Sequence, residues 1–239
     1  MAATPANPDK HAKSNTDARI QVGGAWLSIG AIALIASLLL HAQPSPVPNE
    51  FMSNIAAEPV QWMIAHWLAA LSSTLFVIAG LIILTTHSRL TRRWWSVTAW
   101  AVVIVGSLWI TSTALIEATV GLSAAVDGDM ATFVEWQLFG QALALAFVGV
   151  APALAVIAYN EARNGPETMP VWASWIGAAA GIVAAAAFAL VIGMGVSMAG
   201  IVWIPTTIVM SLWIVWFGLS LARSDGMSLT EGQESETVA

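Results

Sequence analysis

Every Lys and Arg of this chain lies before, between or after long apolar runs, in an arrangement that one membrane topology explains. Lys10, Lys13 and Arg19 precede the first run, and Arg89, Arg92 and Arg93 stand between the second and third. Arg163 lies between the fourth and fifth, and Arg223 follows the sixth. Cytoplasmic loops concentrate basic residues, so each of these places reads as inside and the intervening loops as outside. The chain is therefore expected to be an all-α, polytopic membrane helix bundle of six transmembrane helices, N-in and C-in.

A helix needs about 20 mostly apolar residues to cross the hydrocarbon. Runs free of charge cover residues 20–49, 59–88, 94–116, 136–160 and 168–222, the last long enough for two helices. Ser197-Met198-Ala199-Gly200 followed by Pro205 offers a tight hairpin between those two. The expected spans are 23–43, 60–86, 95–123, 132–159, 171–197 and 201–222. Tryptophan prefers the headgroup level, and its positions suggest two belts. Trp26, Trp94, Trp95, Trp172, Trp175 and Trp216 fall near inner ends, and Trp62, Trp67, Trp136 and Trp203 near outer ends. Trp109 and Trp213 are deeper and are expected to pack against neighbouring helices.

With 58% hydrophobic and 9% charged residues there is no room for a soluble domain beside the bundle. The polar stretches 1–20 and 224–239 are expected to be unfolded cytoplasmic tails flanking a transmembrane domain over 21–223. The first span could be mistaken for a signal peptide, but its apolar stretch is longer than a signal's, and it is read as retained. The absence of cysteine excludes disulfides, thiolate metal sites and thiol nucleophiles. No basic patch outside the cytoplasmic loops suggests nucleic acid, and the arginines at 89, 92 and 93 read as topology determinants. The lipid bilayer of the cell membrane is the partner the composition demands; a homo-oligomer or a membrane-complex partner is compatible with it.

The first outer loop has proline at 44, 46 and 48, which favours an extended path over the mouth of the bundle. Phe51, Met52 and Ile55 then suggest a short interfacial helix before Glu58, and Pro59 suits the first turn of span two. In span five, Gly177 and Gly181 form a GxxxG step, read as internal packing in preference to a dimerisation face. An inverted three-plus-three repeat has no residue-level support.

Chemistry concentrates near the outer ends of spans one to four. Ser37 and His41 share a face of span one, and His66 lies one turn below Trp62. Thr113 and Glu117 share a face of span three, and Gln137 and Gln141 a face of span four, from which Glu135 is turned away. His41, His66, Glu117, Gln137 and Gln141 are thus able to converge, with Ser37 and Thr113 beside them. Ionisable groups at membrane depth usually face a cavity or each other, which makes Glu117 the most informative residue. The plain expectation is a hydrogen-bonded network from Glu117 to His66 or Thr113 that locks helices together. A second is a metal site of His41, His66 and Glu117, or one haem b held between the two histidines. A third is a path for protons or small solutes. His87, beside the basic loop, is expected to be interfacial. The outer rim carries Glu50, Glu58, Asp127, Asp129 and Glu135 without any Lys or Arg, which raises the local concentration of cations.

The segment Leu38 to Pro44, a polar loop, and then Glu58-Pro59-Val60-Gln61-Trp62-Met63-Ile64-Ala65-His66-Trp67 resembles a pattern in uncharacterised prokaryotic membrane proteins of roughly six helices. In those, a histidine ends the first span, another opens the second after an acidic-Pro step, and an acidic residue occurs in the third. The resemblance covers about the first half of the chain. It implies the six-helix fold and the importance of His41, His66 and Glu117, and no reaction.

From the residues alone the function is that of an integral membrane protein with an outward-facing polar pocket. That pocket could take a metal ion or haem, serve a small-solute or cation permease or a structural subunit, or belong to a membrane-embedded metal-dependent hydrolase with Glu117 or Glu135 as base.

Overall fold

The structure, a computed structural model, describes residues 8–41, 45, 47–86, 88–164 and 169–223, and among them there is no strand. Six helical spans are long and apolar enough to cross a membrane: Ala18–Leu40, Pro59–Leu84, Trp94–Asp127, Met130–Asn164, Val171–Met194 and Gly200–Arg223. At most 50% of any span's most apolar stretch is buried within the bundle, so the remaining apolar surface calls for lipid. The chain is a multi-pass membrane protein.

In chain order the helices are α1 (Pro8–Leu40), α2 (Pro48–Ala57), α3 (Pro59–Leu84) and α4 (Trp94–Ile116), then a π-helical turn (Glu117–Gly121) and α5 (Leu122–Asp127). They continue with α6 (Met130–Ala144), α7 (Phe147–Asn164), α8 (Val171–Met194), a 3-10 turn (Ser197–Ala199) and α9 (Gly200–Arg223). Of the expected tails, residues 8–20 continue α1 as helix, while residues 1–7, 224–239 and His87 lie outside the described residues. The expected hairpin falls at Gly195, whose φ of 67° ends α8 in the left-handed conformation that glycine adopts without strain. The interfacial helix expected after the proline-rich loop is α2, which buries Phe51 and Ile55 and is separated only by Glu58 from Pro59 at the start of α3.

The spans form a closed ring in chain order. α1 packs on α3, α3 on α4, α4 on α7, α7 on α8, α8 on α9, and α9 returns to α1. Hydrophobic burial does not distinguish helix from lipid, so close approach of backbones at small residues does the joining. The ring closes where Gly24 of α1 meets Gly218 of α9: a Cβ on either would lie 2.5 Å from the other's carbonyl oxygen. Ser28 sits on the same seam, its hydroxyl 3.1 Å from both the Gly24 and Val215 carbonyl oxygens. Gly177 lies against the Trp213 ring, and Gly181 against the backbone of α7 at Ala151, so the GxxxG step is spent inside the bundle.

The main core fills the end of the ring that carries the basic loops, with Leu27, Ile83, Trp100, Ile157, Met210 and Phe217 at its centre. At the opposite, distal end a smaller cluster of Phe51, Ile55, Trp62, Ala124, Ala125 and Phe133 seats α2 against α3, α5 and α6. Span four is broken between the two levels. Ala146 donates to the Leu143 carbonyl at 3.0 Å, Val148 to Leu145 at 3.0 Å and Gly149 to Ala146 at 2.9 Å, a tightened i→i+3 turn between α6 and α7. Pro152, inside α7, has no N–H to return to the turn just after the break. α6 consequently packs on α4 and α2 while α7 packs on α8, and a space opens at the distal end.

The tryptophan belts are only partly realised. Trp67, Trp94, Trp172, Trp175 and Trp216 are exposed to the surroundings, but Trp62 is 3% exposed and faces inward. Of the two deeper rings, Trp213 is buried as expected, whereas Trp109 is 52% exposed and faces out of the bundle. Residue spacing does not report which side of a ring of helices a span presents to its neighbours.

Candidate functional site at the distal end

Helix α3 starts at Pro59, which places Trp62 and His66 one turn apart on its inward face. His66 Nδ1 lies 2.8 Å from the Trp62 carbonyl oxygen. A carbonyl only accepts, so Nδ1 carries the proton in this bond. The other nitrogen, Nε2, lies 2.7 Å from Glu117 Oε2. Either Nε2 is protonated and faces a carboxylate, or the carboxyl is protonated and faces a neutral imidazole; in both arrangements the pair holds one shared proton between these two atoms. The His66 side chain is 3% exposed and that of Glu117 is 24% exposed.

Glu117 begins the π turn, where the ladder widens from i→i+4 to i→i+5. Its backbone carbonyl takes the indole N–H of Trp62 at 3.0 Å. Side chain and main chain of Glu117 are thus both tied to α3, one through His66 and one through Trp62. No residue pattern announces the π turn. The Thr113 hydroxyl lies 3.2 Å from the Trp109 carbonyl and 3.3 Å from that of Gly140, so it joins α4 to α6 and is not the partner of Glu117. The expected network therefore runs through His66.

A cavity of about 350 Å³ lies in front of this pair, lined from spans two to six, from His41 just past the end of span one, and from α2. Its polar wall is His41, Thr113, Glu117, Gln137 and Gln141. Aromatic surface comes from Phe51, Trp62, Phe188 and Trp203, and aliphatic surface from Val191 and Ile192. Four of the five groups expected to converge line it, and His66 stands just behind Glu117. The His41 ring centroid is 5.0 Å from those of both Trp62 and His66, and 6.3 Å from that of Trp203. Ser37 is buried in α1 and does not line the cavity, and Glu135 is exposed on the far side of α6, as its angular position implied. Trp62 and Trp203, read from sequence as headgroup anchors, are instead walls of the site.

The metal and haem expectations do not fit this geometry. Among the described residues no group of three His, Asp or Glu side chains is arranged to hold a metal ion. The reason is local: both ring nitrogens of His66 are engaged, and the lone pair a metal needs is the one that shares the proton with Glu117. For haem, two imidazoles on one iron must be separated by two bonds of about 2 Å plus the ring radii. Centroids 5.0 Å apart leave too little room. Of the two bases named for a hydrolase, Glu135 is exposed outside the cavity, and Glu117 lines it while paired with His66.

At the basic end, sequence reading missed a second ion pair. Arg89 grips Glu161 in a bidentate fork, Nη1 to Oε1 at 2.6 Å and Nη2 to Oε2 at 2.9 Å, with the Glu161 carboxylate fully buried. Arg89 is thus more than a topology determinant. The signal was present: Glu161 is an acid at the end of a span that faces the three-arginine loop. Searches against models of protein families, curated proteins and solved structures found no match to this chain.

Proposed function

We propose that the chain is a permease of the plasma membrane, with both termini in the cytoplasm, that admits a small solute to the distal cavity from outside and couples its binding to a proton. The observation that carries this reading is the 2.7 Å contact between His66 Nε2 and Glu117 Oε2 on the cavity wall. The pair holds one proton, Glu117 is the member open to the cavity, and an intramembrane acid so placed marks a solute or proton path. A cation that approaches Glu117 can take over the charge of that proton, which then leaves His66 for the outer water. The net charge of the site is unchanged by the exchange. His41 is the other ionisable side chain on the lining.

Closure at the other end supports the same reading. A permease open to one side needs a seal on the other, and here the core and the Arg89–Glu161 fork occupy the basic end. The experiment is proton flux in liposomes that hold the purified protein and a pH-sensitive dye, challenged with a panel of small cationic and neutral solutes. Solute-driven proton movement is expected, and Glu117→Gln should abolish it. Binding of a panel member without proton movement would reduce the pair to a structural lock.

A further inference from the structure

We infer that the solute is a small organic monocation, an ammonium carrying methyl or methylene groups, held with its charge toward Glu117 and its carbon surface against aromatic rings. The inference rests on the solute cavity proposed above and adds its chemistry. Charge narrows the class first. Among the described residues the lining offers one carboxylate and no Lys or Arg. An anion would meet Glu117 with no Lys or Arg on the lining to compensate it. One carboxylate already sharing a proton with His66 suits a single positive charge better than a multivalent one.

Desolvation narrows it further. An inorganic cation must exchange its water for a full shell of oxygen or imidazole ligands, and much of the wall, Phe51, Trp62, Phe188, Val191, Ile192 and Trp203, supplies none. An alkylated ammonium gives up weakly held water, and aromatic faces attract it when it lies within about 6 Å of a ring centroid. Phe51 stands edge-on to Trp62 with centroids 5.5 Å apart, and Trp203 closes on His41 from the other side. Gln137 and Gln141 can receive a hydroxyl or N–H on the same ligand. The volume of about 350 Å³ is at the small end of ligand sites. The rim acids Glu50, Glu58, Asp127, Asp129 and Glu135 are all exposed, and they would steer such a cation inward.

The same ammonium chemistry occurs on free solutes and on lipid headgroups. The test uses the whole, unaltered protein in a maltoside detergent that has no ammonium, with binding followed by tryptophan fluorescence. The probes are choline, its uncharged isostere 3,3-dimethylbutan-1-ol, potassium chloride, and dihexanoylphosphatidylcholine. Choline is expected to bind at least about tenfold tighter than the isostere, and equal potassium chloride should not displace it. Tighter binding of choline than of the phospholipid would mark a free solute, and the reverse a headgroup; either supports the class. Equal binding of choline and isostere would overturn the monocation. If the isostere then moved protons in liposomes, the permease reading would stand with a neutral solute. Absence of binding by every probe would overturn the ammonium class, and proton flux with the liposome panel would then decide the permease reading by itself. Glu117→Gln should erase the preference for choline, and if that variant does not fold, the isostere comparison still decides.

Discussion

Replacing His66 by Ala leaves the Glu117 side chain without the partner that shares its proton, and replacing Glu117 strands the imidazole Nε2. Either change leaves a polar group unsatisfied at membrane depth, at a cost of about 1–3 kcal/mol. Each single variant is therefore expected to lower the melting temperature in detergent, and the double variant to cost less than the sum, because the second substitution removes the group the first one stranded. Strict additivity would show that the 2.7 Å contact is not made in the folded protein. At this scale the sequence was informative about which residues come together and silent about how they pair. Depth and side placed His41, His66 and Glu117 together. The hydrogen-bond state of His66, which removes it as a metal ligand, depends on the Trp62 carbonyl, and no residue identity reports a backbone carbonyl's direction.

Among the elements, the crossing of α1 and α9 and the turn before α6 carry the clearest consequences. Gly218→Val puts side-chain atoms where the Gly24 carbonyl lies, and neither backbone can give way without opening the ring. A loss of about 1–3 kcal/mol is expected, whereas Gly193→Val, with nothing near its Cβ, should be close to neutral. Equal melting temperatures for the two variants would contradict the ring closure. At the start of α6, the Asp129 carboxylate accepts from the Thr132 hydroxyl at 2.6 Å and from its N–H at 3.1 Å. These bonds hold its carboxyl below the ordinary carboxylate range. A group held low stabilises the fold above its unfolded pKa and loses that contribution as pH falls through its folded one. Asp129→Ala should thus melt earlier than the unaltered protein at neutral pH, and the gap should close well below pH of about 3.9. A gap that persisted into strong acid would mean the charge is not what caps the helix. The six spans were legible, since apolar length and charge-free runs mark them directly, whereas the helix over residues 8–20 was expected as an unfolded tail. The π turn at Glu117 and the break at Leu145 were not legible, because both arise where neighbouring helices compete for a segment.

For the whole molecule, six spans in a closed ring give a packed end and a hollow end, and the hollow end coincides with the break in span four and the acidic rim. Apolar length and charge were enough to read the six helices, while the ring order, the Arg89–Glu161 fork and the two tryptophans on the cavity wall required knowing which helix lies beside which. The absence of cysteine makes the hollow end directly measurable. A single Gln141→Cys variant in sealed cells is exposed to small membrane-impermeant thiol reagents of opposite charge, with Asn164→Cys as the control at the basic end. Gln141→Cys is expected to react from outside, faster with the cationic than with the anionic reagent by about tenfold or more, and Asn164→Cys to stay unmodified. A Gln141→Cys thiol that is unreactive from outside, or that reacts as fast with the anion, would contradict an outward-facing cavity built around the Glu117 carboxylate.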